Sequence, residues 1–596
     1  MLALLAGGTF LSSPDGASVA EAQTAPAEEL SGVLNVRWID APQASADDHG
    51  VELLLADSQG GKTDLELGGE ALRRAGGAVA LNGKPVTVEG EGTPGEEFDA
   101  QSIEPTQSVR EVSQRIVSGQ KPTVTVLCRF GDSTSLTPHP KTWFETLMGG
   151  TNPGLDHYWR EVSYNNINLS GSTVVGWYNL PLSKSRYQTN GGYDEDLLAR
   201  DCTQAANADV FFPDYSNVNL MFNGDPGNYA LGGTNTMSLD GQTRNYGMTW
   251  MPRFAYERGY GTGQVWLAHE MGHSFGLPHS SGPYNQTYDS DWDPMSDGSV
   301  CSPAHNAYGC VGVYTNSYHM DELLGWIPTA RKYTATSASD QNITLERLGA
   351  PDPNGAYLMA QIPIAGSTSR FYVVEARRFT GYDGQIPGEA IVIHKVDTTL
   401  SDRNAKVVDA TNNGDPNDAG AMWLPGETFT DSANGIKVKV TGAAASGYDV
   451  TINPSSSGED DATAPRLTSS VPAPGGTMAR SASITVESSE PLDPTTLETP
   501  DGQYSNVELF KFNKEKKRWQ YVWDTRVSCD RACDTITLDP YPGDASKLLG
   551  AGKYRIKAWR DSSGLKDLSG TPLSGGGDYL VSRSGDFVYW WFKAGS

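Results

Sequence analysis

Residues 269 to 279 read His-Glu-Met-Gly-His-Ser-Phe-Gly-Leu-Pro-His, and this segment is the most informative of the chain. His269 and His273 are four residues apart, so on a helix they lie one turn apart on the same face. Two imidazoles on one face can share a Zn²⁺ ion. Glu270, next to the first histidine, can reach a water molecule at the metal and act as general base.

A third ligand is predicted from the residues that follow this helical pattern. Gly276 allows the chain to turn sharply out of the helix, because glycine adopts positive φ without a steric penalty. That turn can bring His279 back toward the first two histidines. Three nitrogen ligands with one open position are typical of a catalytic zinc site, whereas structural zinc sites are closed. An isolated His-Glu-x-x-His also occurs by accident in helices, but the full set of offsets is rare in a chain with nine His and 66 Gly.

The extended motif resembles the signature of the metzincin metalloproteases, in which a methionine-containing turn follows the histidines and lies beneath the metal. The turn-rich segment Asp293-Pro294-Met295-Ser296 supplies Met295 as the counterpart of that supporting methionine. An ordinary packed methionine is compatible with the same role, since the family's methionine does not bind metal. Some metzincins add a tyrosine ligand two residues later, but that position is Asp297 here. We therefore expect three histidines plus water at the metal.

The length and net charge of the chain indicate several domains and argue against nucleic-acid binding. A chain of 596 residues is too long for one core and indicates several domains. The formal charge is 45 − 72 = −27, which argues against a nucleic-acid partner because phosphates require a basic face. Some of the acidic residues could bind Ca²⁺, but the sequence assigns no calcium site.

The first 22 residues have the pattern of a secretory signal. An apolar run begins at Leu2, and Ala20-Glu21-Ala22 offers a cleavage site of the A-x-A type. No basic region precedes the run, which indicates that the true start lies upstream; the alternative is a disordered alanine-rich tail. No stretch approaches the roughly 20 apolar residues of a membrane span. We therefore expect a secreted, extracellular protein without a membrane span.

Six cysteines in an exported chain favour disulfides over metal binding. The spacing suggests three pairs of near neighbours: Cys128 with Cys202, Cys301 with Cys310, and Cys529 with Cys533. Six cysteines allow 15 pairings, so the sequence leaves the connectivity open.

Composition and strand patterns divide the chain into segments. They are the signal peptide (1–22), an N-terminal β-rich domain or propeptide with its linker (23–118), the catalytic domain (119–335), a β-sandwich (336–454), a linker (455–463) and a C-terminal domain (464–596). The N-terminal segment contains no cysteine, so a thiolate cannot block the zinc. If the protease is latent, another ligand or simple steric cover must be responsible.

The catalytic segment most resembles the gametolysin-like peptidases, with the immune inhibitor A peptidases as a close second. Besides the zinc motif, the resemblance rests on Tyr-Trp-Arg-Glu-Val and the residues that follow it (158–178) and on Asp-Glu-Leu-Leu-Gly-Trp (321–326), and it spans about 120 to 455. It implies an α+β metzincin domain, with a twisted mixed sheet plus helices, followed by the β-sandwich. The sequence from 464 onward resembles bacterial Ig-like repeats, which serve spacing or adhesion.

These features predict a secreted, monomeric zinc endopeptidase that hydrolyses extracellular proteins. An adhesin or matrix-binding protein with an inactive protease-like domain is the alternative. The intact Glu270 and all three histidines argue against it. A zinc hydrolase of non-peptide bonds is disfavoured by the edge-strand groove expected near 232–251, where peptides would pair by strand addition.

Overall fold

The structure is a computed structural model of the chain. It describes residues 28–41, 50–106, 117–189, 192–257, 263–284, 286, 288–296, 305–335, 339–454, 464–481, 483–497, 505–522, 525–530, 533–541, 547–560, 564–567, 571–574, 582–583 and 587–595. The predicted signal peptide and the linker at 455–463 lie outside these residues, as do Asp297 and Cys301.

The N-terminal region is rich in strands, as its alternating pattern predicts. Its elements are β1 (Glu28–Asp40), β2 (Gly50–Ala56), β3 (Lys62–Leu67), α1 (Gly69–Arg74), α2 (Ala78–Leu81), β4 (Pro85–Gly92) and β5 (Glu97–Pro105). In β4 the buried Val86 and Val88 alternate with more exposed residues, the pattern of a strand with one face on a core. Leu34, Val36 and Trp38 of β1 face inward, and all three are fully buried.

The central region combines strands with helices. It contains β6 (Gly119–Gln120), β7 (Thr123–Arg129), α3 (Lys141–Leu147), α4 (Leu155–Val162), β8 (Ile167–Asn168), β9 (Thr173–Asn179), α5 (Glu195–Ala206), β10 (Asn217–Phe222), β11 (Ala230–Leu239), β12 (Gln242–Met251), α6 (Arg253–Tyr256), α7 (Gln264–Ser274) and β13 (Ser280–Ser281). Every residue of β10 is buried, as expected for a strand covered on both faces.

One ten-stranded sheet runs through both regions, in the order β2-β3-β5-β4-β1-β11-β12-β10-β7-β9. The start of β1 pairs with β4, and its last four residues, Arg37 to Asp40, pair antiparallel with β11. Without β1, β11 would be the edge of the central part of the sheet. Strand β1 also pairs with β2, so the N-terminal strands β1, β2, β3, β5 and β4 close into a small barrel with its own core. Through the end of β1, this barrel is joined to the central sheet.

The next region is a pair of packed sheets. Its strands are β14 (Lys332–Thr334), β15 (Gln341–Glu346), β16 (Met359–Pro363), β17 (Arg370–Arg377), β18 (Ala390–Asp397), β19 (Ala405–Val407), β20 (Thr428–Asp431), β21 (Ile436–Ala444) and β22 (Gly447–Asn453). One sheet has the order β13-β19-β18-β17-β16-β14 and the other β15-β22-β21-β20, and both contribute to one hydrophobic core. Because β13 directly follows His279, this region is tied to the end of the predicted zinc motif.

The C-terminal region is made of two sheets whose strands are mainly antiparallel. Its strands are β23 (Leu467–Val471), β24 (Thr477–Ala479), β25 (Ile484–Ser488), β26 (Val507–Asn513), β27 (Arg518–Tyr521), β28 (Arg526–Cys529), β29 (Thr535–Asp539), β30 (Gly552–Trp559), β31 (Ser582–Arg583) and β32 (Phe587–Gly595). Val588, Trp590 and Phe592 of β32 lie in the core between the two sheets. The protein is thus multidomain and mainly β.

Two of the predicted disulfides are present, Cys128–Cys202 and Cys529–Cys533. Cys310 is also disulfide-bonded, and its predicted partner Cys301 lies outside the described residues. Cys128 is on β7 and Cys202 on α5, so this bond ties the helix to the sheet. Among the helices of the described residues, none has both the length and the apolar character needed to cross a membrane.

A buried ion cluster lies on β17. The guanidinium of Arg377 donates to Glu375 Oε1 at 3.1 Å and to Asp383 Oδ1 at 2.7 Å, and all three side chains are fully buried. By contrast, Arg378 and its partner Glu389, 3.3 Å away, are both partly exposed. Because the Arg377 cluster is buried, removing one of its charged partners should lower the stability of the fold strongly.

We predict that Arg377→Met destabilises the protein by about 3–5 kcal/mol, because it leaves two buried carboxyl groups without their cation. Arg378→Met is the matched control, and its cost should stay below about 1 kcal/mol. Denaturant unfolding followed by tryptophan fluorescence measures both. Equal effects of the two substitutions would contradict the role assigned to the buried cluster.

Candidate metal centre

Helix α7 places the first two histidines. All residues from Gln264 to Ser274 are buried, so the helix lies inside the protein rather than on its surface. His269 and His273 lie one turn apart, and their ring centroids are 4.7 Å from each other. Gly276 has φ +98°, which confirms the predicted sharp turn out of the helix.

Backbone carbonyls orient these two rings. His269 Nδ1 lies 2.5 Å from the carbonyl oxygen of Pro294, and His273 Nδ1 lies 2.6 Å from that of Leu277. An Nδ1–H that donates to a carbonyl leaves Nε2 without a proton, and Nε2 is then free to bind metal. Both rings therefore present Nε2 to the same point.

His279 is oriented by a carboxylate that the sequence analysis missed. Its Nδ1 lies 2.9 Å from Asp402 Oδ1, and its backbone N–H donates to the same oxygen at 3.0 Å. Although burial opposes ionisation, the nearby His279 lowers the pKa of Asp402 to about 2. Asp402 lies just before β19, and β13, which directly follows His279, pairs with β19. The β-sandwich thus supplies the carboxylate that orients the ring of His279.

The Nε2 atoms of the three histidines converge, and Asp40 joins them. His273 Nε2 lies 3.0 Å from His269 Nε2, and Asp40 Oδ1 lies 2.7 Å from His279 Nε2 and 3.2 Å from His269 Nε2. One ligand atom from each of the four residues lies within 4.8 Å of the others, and all four residues are buried. The four side chains form a group that can hold a metal ion.

The donor set fits a metal of the zinc type. Two Zn–N bonds of about 2.0 Å at a tetrahedral angle separate their nitrogens by ~3.3 Å, close to the distance between His269 and His273 Nε2. Nitrogen and carboxylate ligands in a tetrahedral arrangement suit zinc. Within the described residues, Asp40 Oδ2 and both Glu270 carboxylate oxygens are buried without a hydrogen-bond partner. Buried polar atoms without partners are expected where an ion or water completes a site.

Glu270 lies on the helix beside the ligands but is not one of the converging group. Its side chain is fully buried, and burial together with the nearby Asp40 carboxylate raises its pKa. A Cβ added at Gly232 of β11 would lie 2.9 Å from Glu270 Oε2. The absence of a side chain at Gly232 therefore lets the strand pack directly against the carboxyl group.

Met295, the residue predicted to support the site, packs against α7. Its side chain is buried, and a Cβ added at Gly272 of α7 would lie 2.5 Å from its Sδ. The sulfur thus packs against the helix between the two ligand histidines. The preceding Pro294 supplies the carbonyl that binds His269, so this turn supports the site by packing and by a hydrogen bond.

Two aromatic residues cover the group from outside the motif. Trp38 of β1 stacks on the His273 ring, with centroids 5.0 Å apart and an interplanar angle of 9°. Tyr288 donates from its hydroxyl to Asp40 Oδ1 at 2.5 Å. Asp40 precedes His279 by 239 residues, so no spacing rule within the sequence could have joined them.

Comparisons with known proteins leave the family of this chain open. No protein-family model matches the sequence, and no curated protein matches it. A solved structure described as PcoC, a methionine-rich copper resistance protein from Escherichia coli, is 18% identical over 22% of this chain and 100% of its own. Its TM-score of 0.15 is too low to carry an argument about fold or metal.

We predict that Asp402→Asn weakens metal binding by about 10- to 100-fold, because the orienting partner of His279 loses its charge. Asp352→Asn, at an exposed carboxyl group, is the control and should leave the affinity unchanged. Competition with a chromophoric zinc chelator measures both affinities. A wild-type affinity in Asp402→Asn would show that His279 needs no such partner.

Proposed function

We propose that the protein is a secreted zinc-dependent endopeptidase of the metzincin type. The observation that carries the proposal is the convergence of three histidine Nε2 atoms beside the buried carboxyl group of Glu270. This is the ligand number of catalytic zinc sites, with a general base next to it. The disulfides support export, because such bonds persist in oxidising compartments.

The proposed mechanism assigns one task to each group. When bound, zinc supplies Lewis-acid chemistry at a peptide carbonyl and makes water more acidic. His269, His273 and His279 hold it through Nε2. The Glu270 carboxylate accepts a proton from the attacking water and delivers it to the nitrogen of the departing amine.

The substrate-binding strand proposed here is β11. Gly232 of this strand packs on α7 beside Glu270, so a peptide paired with β11 would pass next to the general base. Strand addition to a sheet edge is a common mode of peptide recognition, because main-chain hydrogen bonds bind any sequence. This mode suits an enzyme that cleaves within extracellular proteins.

In the conformation described, β1 occupies the place of that peptide. Asp40 supplies the fourth ligand beside the three histidines. A closed four-ligand site leaves no position for water. We therefore propose that this conformation is latent and that activity requires Asp40 to leave. An aspartate would then take the inhibitory role that a cysteine cannot play in this N-terminal region.

We predict that Glu270→Gln retains the metal but lowers turnover by roughly 10²- to 10⁴-fold, because it removes the general base. His269→Ala is the contrasting variant, and it should lose the metal itself. Casein hydrolysis and metal analysis of the purified proteins separate the two effects. Near-normal proteolysis by Glu270→Gln would refute the assignment of the base.

We predict that Asp40→Ala raises the peptidase activity of the full chain by at least about tenfold, because activity scales with the fraction of molecules whose site is open. Asp99→Ala, an exposed position in the same N-terminal region, is the control and should change nothing. The rate of cleavage of a quenched fluorescent peptide measures the difference. Activity that is equal in all three proteins would exclude Asp40 as the inhibitory ligand.

A further inference from the structure

The last four residues of β1 show how a peptide would lie along β11. Arg37 is opposite Gly233 and Asp40 is opposite Ala230, and the two strands run antiparallel. Along this strand, Asp40 is the residue that lies at the metal ligands. At about 3.3 Å per residue, Arg37 lies ~10 Å along the strand on the amino-terminal side of the metal.

Arg37 enters a pocket made mainly by the central region, and Glu52 of β2 lies 3.7 Å from its Nη1. Its Nη2 donates to Asp196 Oδ1 at 2.6 Å and to Asn235 Oδ1 at 3.1 Å, and its guanidinium carbon lies 5.1 Å from the centre of the Trp250 ring. The arginine side chain is 2% exposed. A Cβ added at Gly233 would lie 2.8 Å from Arg37 Cα, so this glycine permits the close approach of β1 to β11.

Contacts within the central region hold the walls of this pocket. Trp250 Nε1 donates to the carbonyl of Glu195 at 3.0 Å, which fixes the indole against the start of α5. Asn235 Nδ2 donates to Met248 Sδ at 3.2 Å. Neither contact involves β1, so the indole of Trp250 and the amide of Asn235 are held by the central region itself.

The negative charge of Asp196 in this pocket is balanced by cations that come from outside the central region. Among the described residues, the ion-pair partners of Asp196 are Arg37 and Lys62, and both belong to the N-terminal region. Arg200, which lines the adjoining open cleft, pairs with Asp201 instead. Departure of the N-terminal strands would therefore leave the Asp196 carboxylate ready for another cation.

We propose that Asp196, Asn235 and Trp250 form a substrate subsite for an arginine side chain, located at the third or fourth residue before the cleaved bond. The inference rests on the proposed peptidase function. The planar guanidinium can donate to two acceptors while it stacks on an indole, whereas a lysine ammonium cannot do both. The preferred substrates are thus extracellular proteins with an accessible arginine upstream of the bond.

Cleavage profiling tests the position of the subsite. The full-chain Arg37→Ala/Asp40→Ala protein, loaded with zinc, digests a library of proteome-derived peptides. Arginine should be enriched severalfold over lysine at the third or fourth residue before the bond, and adding Asp196→Asn should abolish the enrichment. Adding Asp214→Asn, an exposed position, should preserve it. No enrichment, or an enrichment that survives Asp196→Asn, overturns the proposal.

A binding measurement tests the pocket without any cleavage. A fluorescent peptide with the sequence of residues 33–41 is titrated into the full-chain Arg37→Ala/Asp40→Ala protein, next to the same peptide with glutamine in place of its arginine. The arginine peptide should bind at least about tenfold more tightly, and Asp196→Asn should remove the difference. Equal affinities, including no binding of either peptide, overturn the subsite. Absence of cleavage together with selective binding would instead refute the peptidase function and keep the arginine pocket.

Discussion

The hydrogen bonds on Nδ1 of the three histidines are the constraint on which the site depends. Each ring is tied by Nδ1 to an acceptor, and only then do the Nε2 atoms point to one place. The acceptors come from the turn that contains Met295, from the end of α7 and from the loop before β19. The three histidines of the central region are therefore oriented partly by that region itself and partly by Asp402 of the β-sandwich.

The second organising feature is the continuity of the ten-stranded sheet across two regions. A strand that adds to a sheet edge is held by main-chain hydrogen bonds, so it excludes any other strand from that edge. β1 uses this property and carries Asp40 and Arg37 at its end. One carboxyl group reaches the metal ligands on one face of the strand, and one guanidinium reaches the Asp196 pocket on the other, because successive side chains alternate between faces.

The burial of the site has an electrostatic consequence. Glu270 and Asp40 are two neighbouring carboxyl groups without exposure to bulk water, and burial and mutual repulsion raise the pKa of Glu270. The same burial makes the ion pairs of Arg37 and Arg377 depend on their partners, since neither guanidinium can be solvated instead.

Local spacing was enough to predict the helix of the motif, the turn at Gly276, the grouping of the three histidines and the Cys529–Cys533 disulfide. These features follow from periodicity and from short separations along the chain, whereas the role expected of Met295 came from the resemblance to metzincins. Asp40, Asp402 and the arginine pocket arise from strand pairing between residues far apart in sequence, and pairing depends on register and packing that no local pattern encodes. The amino-acid sequence therefore determined which residues can hold a metal, whereas the tertiary structure decided that an aspartate of the N-terminal region joins them.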